Sequence, residues 1–272
     1  MADEMKIGIV GVSGRMGQML VRHIGETAGC VLAGATERPG SDAIGKDAGA
    51  LAGLGEAGVI VTDDAAAMIA GVDAVIDFTA PDATVHHAEL AAQAGASIII
   101  GTTGMSPAHM KLLEGAARHA PVVFAPNMSV GVNLLMALVE QVARTLDDSY
   151  DIEIVEMHHR HKVDAPSGTA LGLGRSAAAG RGVSLDEMGK LSREGHTGAR
   201  PRGEIGFATL RGGDVIGDHT VCFATEGERI ELTHKASGRQ IYAAGALRAA
   251  LWTRGKAPGL YSMNDVLGIE GS

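Results

Sequence analysis

Short apolar runs and longer Ala-rich stretches alternate through the first half of the chain. The runs at 6–10, 31–36, 74–78, 97–100 and 122–124 are rich in Val and Ile, and polar or glycine-containing turns bound them. Between them lie 16–26, 84–94 and 107–118, whose composition and length suit helices. Such alternation predicts βαβ units and a parallel sheet. The runs are almost continuously apolar, as expected where helices cover both faces of a sheet.

The pattern changes near Asn127. Residues 129–146 read as one longer helix, with Val132, Leu135, Met136, Val139, Val142 and Leu146 at helical spacing. A strand-like run at 151–157 leads into the polar stretch HHRHKVDAPSGTA, and a further helix is expected to start at Ser167. Residues 181–203, rich in Gly, Arg and charge, read as a loop with little regular structure. Three β-like runs follow at 204–211, 218–225 and 229–234, joined by the turn signals RGGD and TEGE, so an antiparallel or mixed sheet is expected. An amphipathic helix over 239–253 and a short tail containing Pro258, Gly259 and Tyr261 complete the chain. The expected fold class is α/β, with an N-terminal Rossmann-type parallel-sheet domain and an α+β C-terminal domain. The boundaries are 1–127 plus 238–272 for the first and 128–237 for the second.

Composition narrows the function class. The 272 residues are 46% apolar and 20% charged, an ordinary globular balance. A formal net charge of −9 argues against a nucleic-acid partner, which would call for a basic footprint. Cys30 and Cys222 form no CxxC pair and read as small buried hydrophobes in a reducing compartment. The start MADEMKIGIVGV does not read as a signal peptide. No apolar run approaches the roughly 20 residues of a membrane span. The expectation is a cytoplasmic protein with no membrane partner.

Candidate chemistry falls in two places. The first strand is followed by Gly11-Val12-Ser13-Gly14-Arg15-Met16-Gly17 and then by a helix, the context of a dinucleotide-binding turn, here spaced GxxGxxG. Glycine lets the backbone approach a pyrophosphate, and the helix start supplies N–H groups and positive potential. Glu37 lies 20 residues after Gly17, where an acid can bind the adenine ribose hydroxyls, and Arg38 beside it can meet a 2′-phosphate. Both NADH and NADPH are therefore candidate cofactors. The loops Gly101-Thr102-Thr103-Gly104 and Ala125-Pro126-Asn127-Met128 also follow predicted strands, where open α/β sheets bind ligands.

The second place is Glu156-Met157-His158-His159-Arg160-His161-Lys162. Three histidines, an arginine and a lysine within five residues concentrate positive charge in an acidic protein, a setting for an anionic substrate. Pro166-Ser167-Gly168-Thr169 reads as a helix start, with Ser167 as cap and the N–H groups of Gly168 and Thr169 able to bind a carboxylate. His159-x-His161 has metal-ligand spacing, but nothing nearby completes a ligand set, and no metal is expected. A histidine or a lysine is a natural proton donor to follow hydride transfer; the pattern alone does not choose among the histidines.

With these motifs assembled, the chain closely resembles the 4-hydroxy-tetrahydrodipicolinate reductase (dihydrodipicolinate reductase) family over essentially its whole length. The resemblance rests on GVSGRMGQ at 11–18, GTTG at 101–104, APNMSVGVN at 125–133 and EMHHRHKVDAPSGTA at 156–170. It implies reduction of a small cyclic dicarboxylate with NADH or NADPH. It further implies His158 and Lys162 as catalytic residues, and His159, Gly168 and Thr169 as carboxylate ligands. Gly11, Val12, Ser13, Gly14, Arg15, Met16, Glu37, Arg38, Gly101, Thr102, Thr103, Ala125, Pro126, Asn127 and Met128 would hold the cofactor. A homotetramer built through the C-terminal sheet is implied as well.

Overall fold

The computed structural model describes residues 4–269. Residues 1–3 and 270–272, which the sequence pattern assigns to the first domain, lie outside the described residues. The chain divides into two compact units, one running through Ser129 and resuming over Gln240–Gly268, the other spanning Val130–Arg239.

The first unit opens with β1 (Met5–Val10), α1 (Arg15–Glu26) and β2 (Cys30–Thr36). Two short helices follow, α2 (Ala48–Leu51) and α3 (Ala65–Ala70). Then come β3 (Ala74–Asp77), α4 (Pro81–Ala94), β4 (Ser97–Ile100), α5 (Pro107–Ala116) and β5 (Pro121–Phe124). Every residue of β3 and β4 is buried, so these strands carry apolar side chains on both faces and have helices to receive them.

The second unit begins with α6 (Val130–Thr145) and β6 (Asp151–His158). It continues through α7 (Gly168–Arg181), the short α8 (Leu185–Met188) and β7 (Gly189–Lys190). It ends with β8 (Ile205–Arg211), β9 (Gly217–Thr225) and β10 (Glu228–Ala236). Its sheet has the order β10-β9-β6-β8-β7. The pairs β9–β10 and β6–β9 are antiparallel, whereas β8 runs parallel to both β6 and β7. This is a mixed sheet, one of the two arrangements expected. Burial alternates strictly along β6, and Ile152 and Ile154 meet Leu135, Leu173, Phe207, Val221 and Phe223 in one core under α6 and α7. The charged segment expected to lack regular structure contains α8 and β7. The rest is tied down by side chains: Arg193 and Arg200 each bind Glu153, and Arg200 also reaches Asp151.

The chain then returns to the first unit with α9 (Gln240–Trp252), β11 (Gly259–Tyr261) and α10 (Met263–Leu267). The first sheet is wholly parallel, in the order β11-β5-β4-β3-β1-β2. Its direction of growth reverses at β1, between β2 on one side and β3 on the other, which opens a crevice beyond the strand ends.

Two sequence expectations need correction here. Helix α9 is sunk in the unit rather than half exposed: Ala243, Gly245, Ala246, Leu247, Ala249 and Ala250 are all buried. Small residues let its backbone approach others closely, and their wide apolar face masks the helical period. The tail also adds a sixth strand and a capped helix, from an apolar run too short to announce a strand. Among the described residues no helix is long and apolar enough to cross a membrane.

Gly245 shows how close the approach is, since a Cβ there would lie 1.7 Å from the Met128 carbonyl oxygen. Gly245→Ala is expected to lower stability by about 2–3 kcal/mol, the cost of overpacking a dense core. Urea denaturation checks this, and an unchanged midpoint would contradict the contact.

Candidate active site

The turn after β1 is held from two sides. Gly11 N and Val12 N both donate to Thr36 O at the end of β2, at 2.9 and 3.1 Å. Gly11 has φ +70°, a left-handed value that suits glycine. A Cβ on Gly17 would fall 2.4 Å from Gly11 O, so only glycine lets α1 sit this close to the turn. Helix α1 starts at an N-cap, Gly14, that has no side-chain cap, and its first turn holds no acid. Its leading N–H groups therefore suit an external anion.

Glu37, just beyond β2, closes the same turn. Its Oε2 accepts Ser13 N at 3.1 Å and Ser13 Oγ at 2.6 Å, while Oε1 accepts Arg38 N at 3.0 Å. Burial works to raise this carboxyl, but the bonds from Ser13 and Arg38 outweigh it and hold it below the ordinary carboxylate range. Arg38 is exposed beside it. Glycine turn, uncapped helix and acid at the tip of β2 together fit a dinucleotide.

The structure thus brings Gly11–Met16, Glu37 and Arg38 together. Within the turn the Val12 side chain is fully buried, so any contact it makes with a nucleotide falls to its backbone. The same holds for Met128, at the far end of the loop after β5, where Asn127 Oδ1 accepts Ser129 N at 2.9 Å. Thr103 and Pro126 are exposed on the loops after β4 and β5; Gly101, Thr102 and Ala125 are buried beside them.

Under the GTTG loop lies a group that the sequence pattern does not single out. Asp77, fully buried at the end of β3, accepts Thr79 N at 2.8 Å, Thr79 Oγ1 at 2.6 Å and Thr102 Oγ1 at 3.3 Å. His87 Nδ1 lies 2.8 Å from its other oxygen. The available signal was one acid inside the apolar run Ala-Val-Ile-Asp-Phe.

In the second unit the inward face of β6 turns from apolar to polar. Ile152 and Ile154 are followed two and four residues on by Glu156 and His158, both buried. His158 Nδ1 lies 2.5 Å from Glu156 Oε2. Parallel register sets Arg211 of β8 opposite His158, and the guanidinium grips Glu156 with Nη1 on Oε2 at 2.8 Å and Nη2 on Oε1 at 2.9 Å. Ser167 N donates to Glu156 Oε1 at 3.0 Å. Antiparallel register places His219 of β9 opposite Glu156, and its ring stands edge-on to that of His158 at 5.0 Å.

Ser167 caps α7 by accepting Ala170 N at 3.1 Å, and its hydroxyl lies 3.3 Å from His219 Nε2. Gly168 is exposed at the helix start, and a Cβ there would meet nothing within 4 Å. The loop after β6 is stapled to the β8–β9 turn, with His159 N on Val215 O at 2.7 Å and Gly212 N on His158 O at 2.9 Å. His159 Nδ1 is buried with no hydrogen-bond partner. Lys162 Nζ pairs with Asp164 at 2.7 Å.

These contacts set the charge states. Burial works to raise the Glu156 carboxyl, but Arg211, His158 and Ser167 N outweigh it and keep it a carboxylate. Burial pushes the His158 imidazole below its ordinary range; Glu156 opposes that shift, while Lys162 and Arg211 add to it. A histidine with one nitrogen on a carboxylate and the other left for a ligand can pass a proton. A parallel-sheet unit with a dinucleotide turn, joined to a unit that carries such a histidine at a helix start, defines a two-domain nicotinamide-dependent oxidoreductase.

Comparison with known proteins places the chain within that class. A family model described as "Dihydrodipicolinate reductase, N-terminus" matches residues 5–128, and one described as "Dihydrodipicolinate reductase, C-terminus" matches 131–267. The 4-hydroxy-tetrahydrodipicolinate reductase of Beijerinckia indica is 58% identical over 269 residues, 99% of each chain. That of Allorhizobium ampelinum is 60% identical over 267 residues, 98% of this chain and 99% of its own. A solved structure of dipicolinate-bound dihydrodipicolinate reductase from Paenisporosarcina sp. TG-14 shares the fold, with a TM-score of 0.75 at 23% identity, covering 95% of this chain and 97% of that one. The chain belongs to the dihydrodipicolinate reductase family.

His219 offers a test of the site's electrostatics. Burial, with His158 adding to it, pushes its pKa down to about 4. Between its ordinary value near 6.5 and that value the unfolded chain binds a proton that the folded chain refuses, so stability falls as pH falls through this window. In urea denaturation, wild type is expected to lose roughly 3 kcal/mol more than His219→Gln between pH 7 and pH 4. Parallel pH profiles would contradict a neutral buried imidazole.

Proposed function

We propose that the polar end of the second sheet holds the substrate and moves the proton, while the glycine turn of the first unit holds the nicotinamide nucleotide. The chain is an oxidoreductase of its family, and its reaction is the NAD(P)H-dependent reduction of 4-hydroxy-tetrahydrodipicolinate to tetrahydrodipicolinate in lysine and diaminopimelate biosynthesis. In balance, the substrate loses one water, its hydroxyl together with one ring hydrogen, and the dehydrated ring gains one hydride and one proton. The bound cofactor supplies the hydride.

The observation that carries the residue assignment is the buried Glu156–His158 pair beside the start of α7. His158 has Nδ1 committed to Glu156, so Nε2 is the atom that gives or takes the substrate's proton. Two substrate carboxylates arriving nearby favour the imidazolium and offset its burial. His159, with its unpartnered Nδ1, and the N–H groups of Gly168 and Thr169 bind carboxylate, helped by the positive end of α7. Lys162 leaves Asp164 to act as the second cationic donor. The dipicolinate held by the Paenisporosarcina relative supports a small cyclic dicarboxylate as ligand.

In the first unit, Gly11–Met16, Gly101–Thr103 and Ala125–Met128 hold the nucleotide. Glu37 receives the ribose hydroxyls, and exposed Arg38 accommodates a 2′-phosphate, so both NADH and NADPH are accepted. The enzyme works in the cytoplasm as a homotetramer. Supporting the assembly, the outward face of the second sheet carries Val155 and Met157, only partly buried, and exposed Leu210 along its central strands.

The test is oxidation of NADH and NADPH at 340 nm, with substrate generated in situ from pyruvate and aspartate semialdehyde by the preceding synthase. Wild type is expected to turn over with both cofactors, and His158→Ala and Lys162→Ala to lose about 10²-fold or more. Cofactor binding without turnover in wild type would refute the assignment and favour a nucleotide-sensing protein.

A further inference from the structure

Glu156 spends one carboxylate on two parts of the site. Oε2 meets His158 Nδ1, Oε1 meets the Ser167 N–H at the start of α7, and Arg211 spans both oxygens. Arg211 is itself fixed, because Nη2 also donates to the Asp164 carbonyl at 2.6 Å. A carboxylate at Nδ1 selects the imidazole tautomer with its proton there and leaves Nε2 bare. We propose that Glu156, held by Arg211, is the positioning residue of the reaction: it fixes the tautomer and aim of the His158 ring and locks the start of α7 in register with it. Proton donor and carboxylate-binding helix then share a single anchor, so the substrate's acid groups and its proton arrive with a fixed spacing. The proposal rests on His158 as the proton-transfer residue.

Each neighbouring element contributes to the charge around that ring. Glu156 comes from the same strand, Arg211 from β8, Lys162 from the following loop and His219 from β9. Of these only Glu156 favours the imidazolium; the two cations oppose it, and His219 stays uncharged near neutral pH. Removing the carboxylate charge therefore leaves only opposing charges beside His158.

The experiment joins kinetics to nitrogen NMR on the full-length protein. Nitrogen-15 spectra of wild type are expected to show neutral His158 protonated at Nδ1 and bare at Nε2. In Glu156→Gln that preference is lost, and the limb of the pH–rate profile assigned to His158 moves to lower pH. Its kcat falls by about 10²-fold, on the scale of a general acid–base contribution. KM for NADPH changes less than about twofold, and Glu156→Asp recovers part of kcat. An unmoved tautomer and pH limb in a folded Glu156→Gln protein would reduce Glu156 to a packing role and overturn the proposal, whatever happens to kcat. If Glu156→Gln fails to fold, the wild-type spectrum decides, and a proton on Nε2 of neutral His158 overturns it. Full activity in His158→Ala would instead refute the function of His158, a failure recognisable without any Glu156 variant.

Discussion

Glu156 holds a negative charge out of water, where an unpaired carboxylate would cost several kcal/mol. The surroundings read as the answer to that constraint. Arg211 must stand opposite His158 on β8, so the parallel pairing of β6 with β8 is fixed by charge as well as by the apolar contacts of Ile154 and Phe207 below it. Ser167 N completes the carboxylate's shell, which puts the first turn of α7 against the end of β6. Because bidentate geometry gives an Arg–carboxylate pair added energy and a fixed direction, shifts of either strand that break one of the two bonds would be costly. The face of β6 that carries the core at its beginning thus carries a buried acid and a buried histidine at its end.

The first unit solves a different problem by different means. It presents backbone rather than side chains, so its requirement is access. Glycine at 17 lets α1 close on the turn, and the uncapped start of that helix offers its N–H groups. Glu37 stiffens the turn through Ser13 while remaining at the tip of β2. Beneath the GTTG loop, Asp77 gathers Thr79, Thr102 and His87, so the loop after β4 is anchored to the strand beside it. In both units a buried acid at the carboxyl end of a strand organises the loops that lie beyond it.

What the sequence made legible was local. The glycine turn, the cap at Ser167 and the basic run after β6 each lie within about a dozen residues, and the residue types alone suggest their chemistry. The elements of the first sheet were readable because runs such as Ser97–Ile100 have a single outcome when both faces are buried. What stayed hidden depends on register between distant segments. Arg211 reaches Glu156 across 55 residues, and His219 faces Glu156 through β9 pairing that no local pattern states. Helix α9 reads as amphipathic in the sequence because alanine and glycine blur the difference between a buried and a half-buried face. The strand Gly259–Tyr261 is too short to show a period.

The central proposal is that a cyclic dicarboxylate meets its proton donor at the polar end of the second sheet. A crystal structure with NADPH and pyridine-2,6-dicarboxylate tests this most directly. One carboxylate is expected within hydrogen-bond reach of the Gly168 and Thr169 N–H groups, with His158 Nε2 facing the ring and Nδ1 still on Glu156. A dicarboxylate bound elsewhere, or a His158 ring turned so that Nδ1 leaves Glu156 for the ligand, would contradict it.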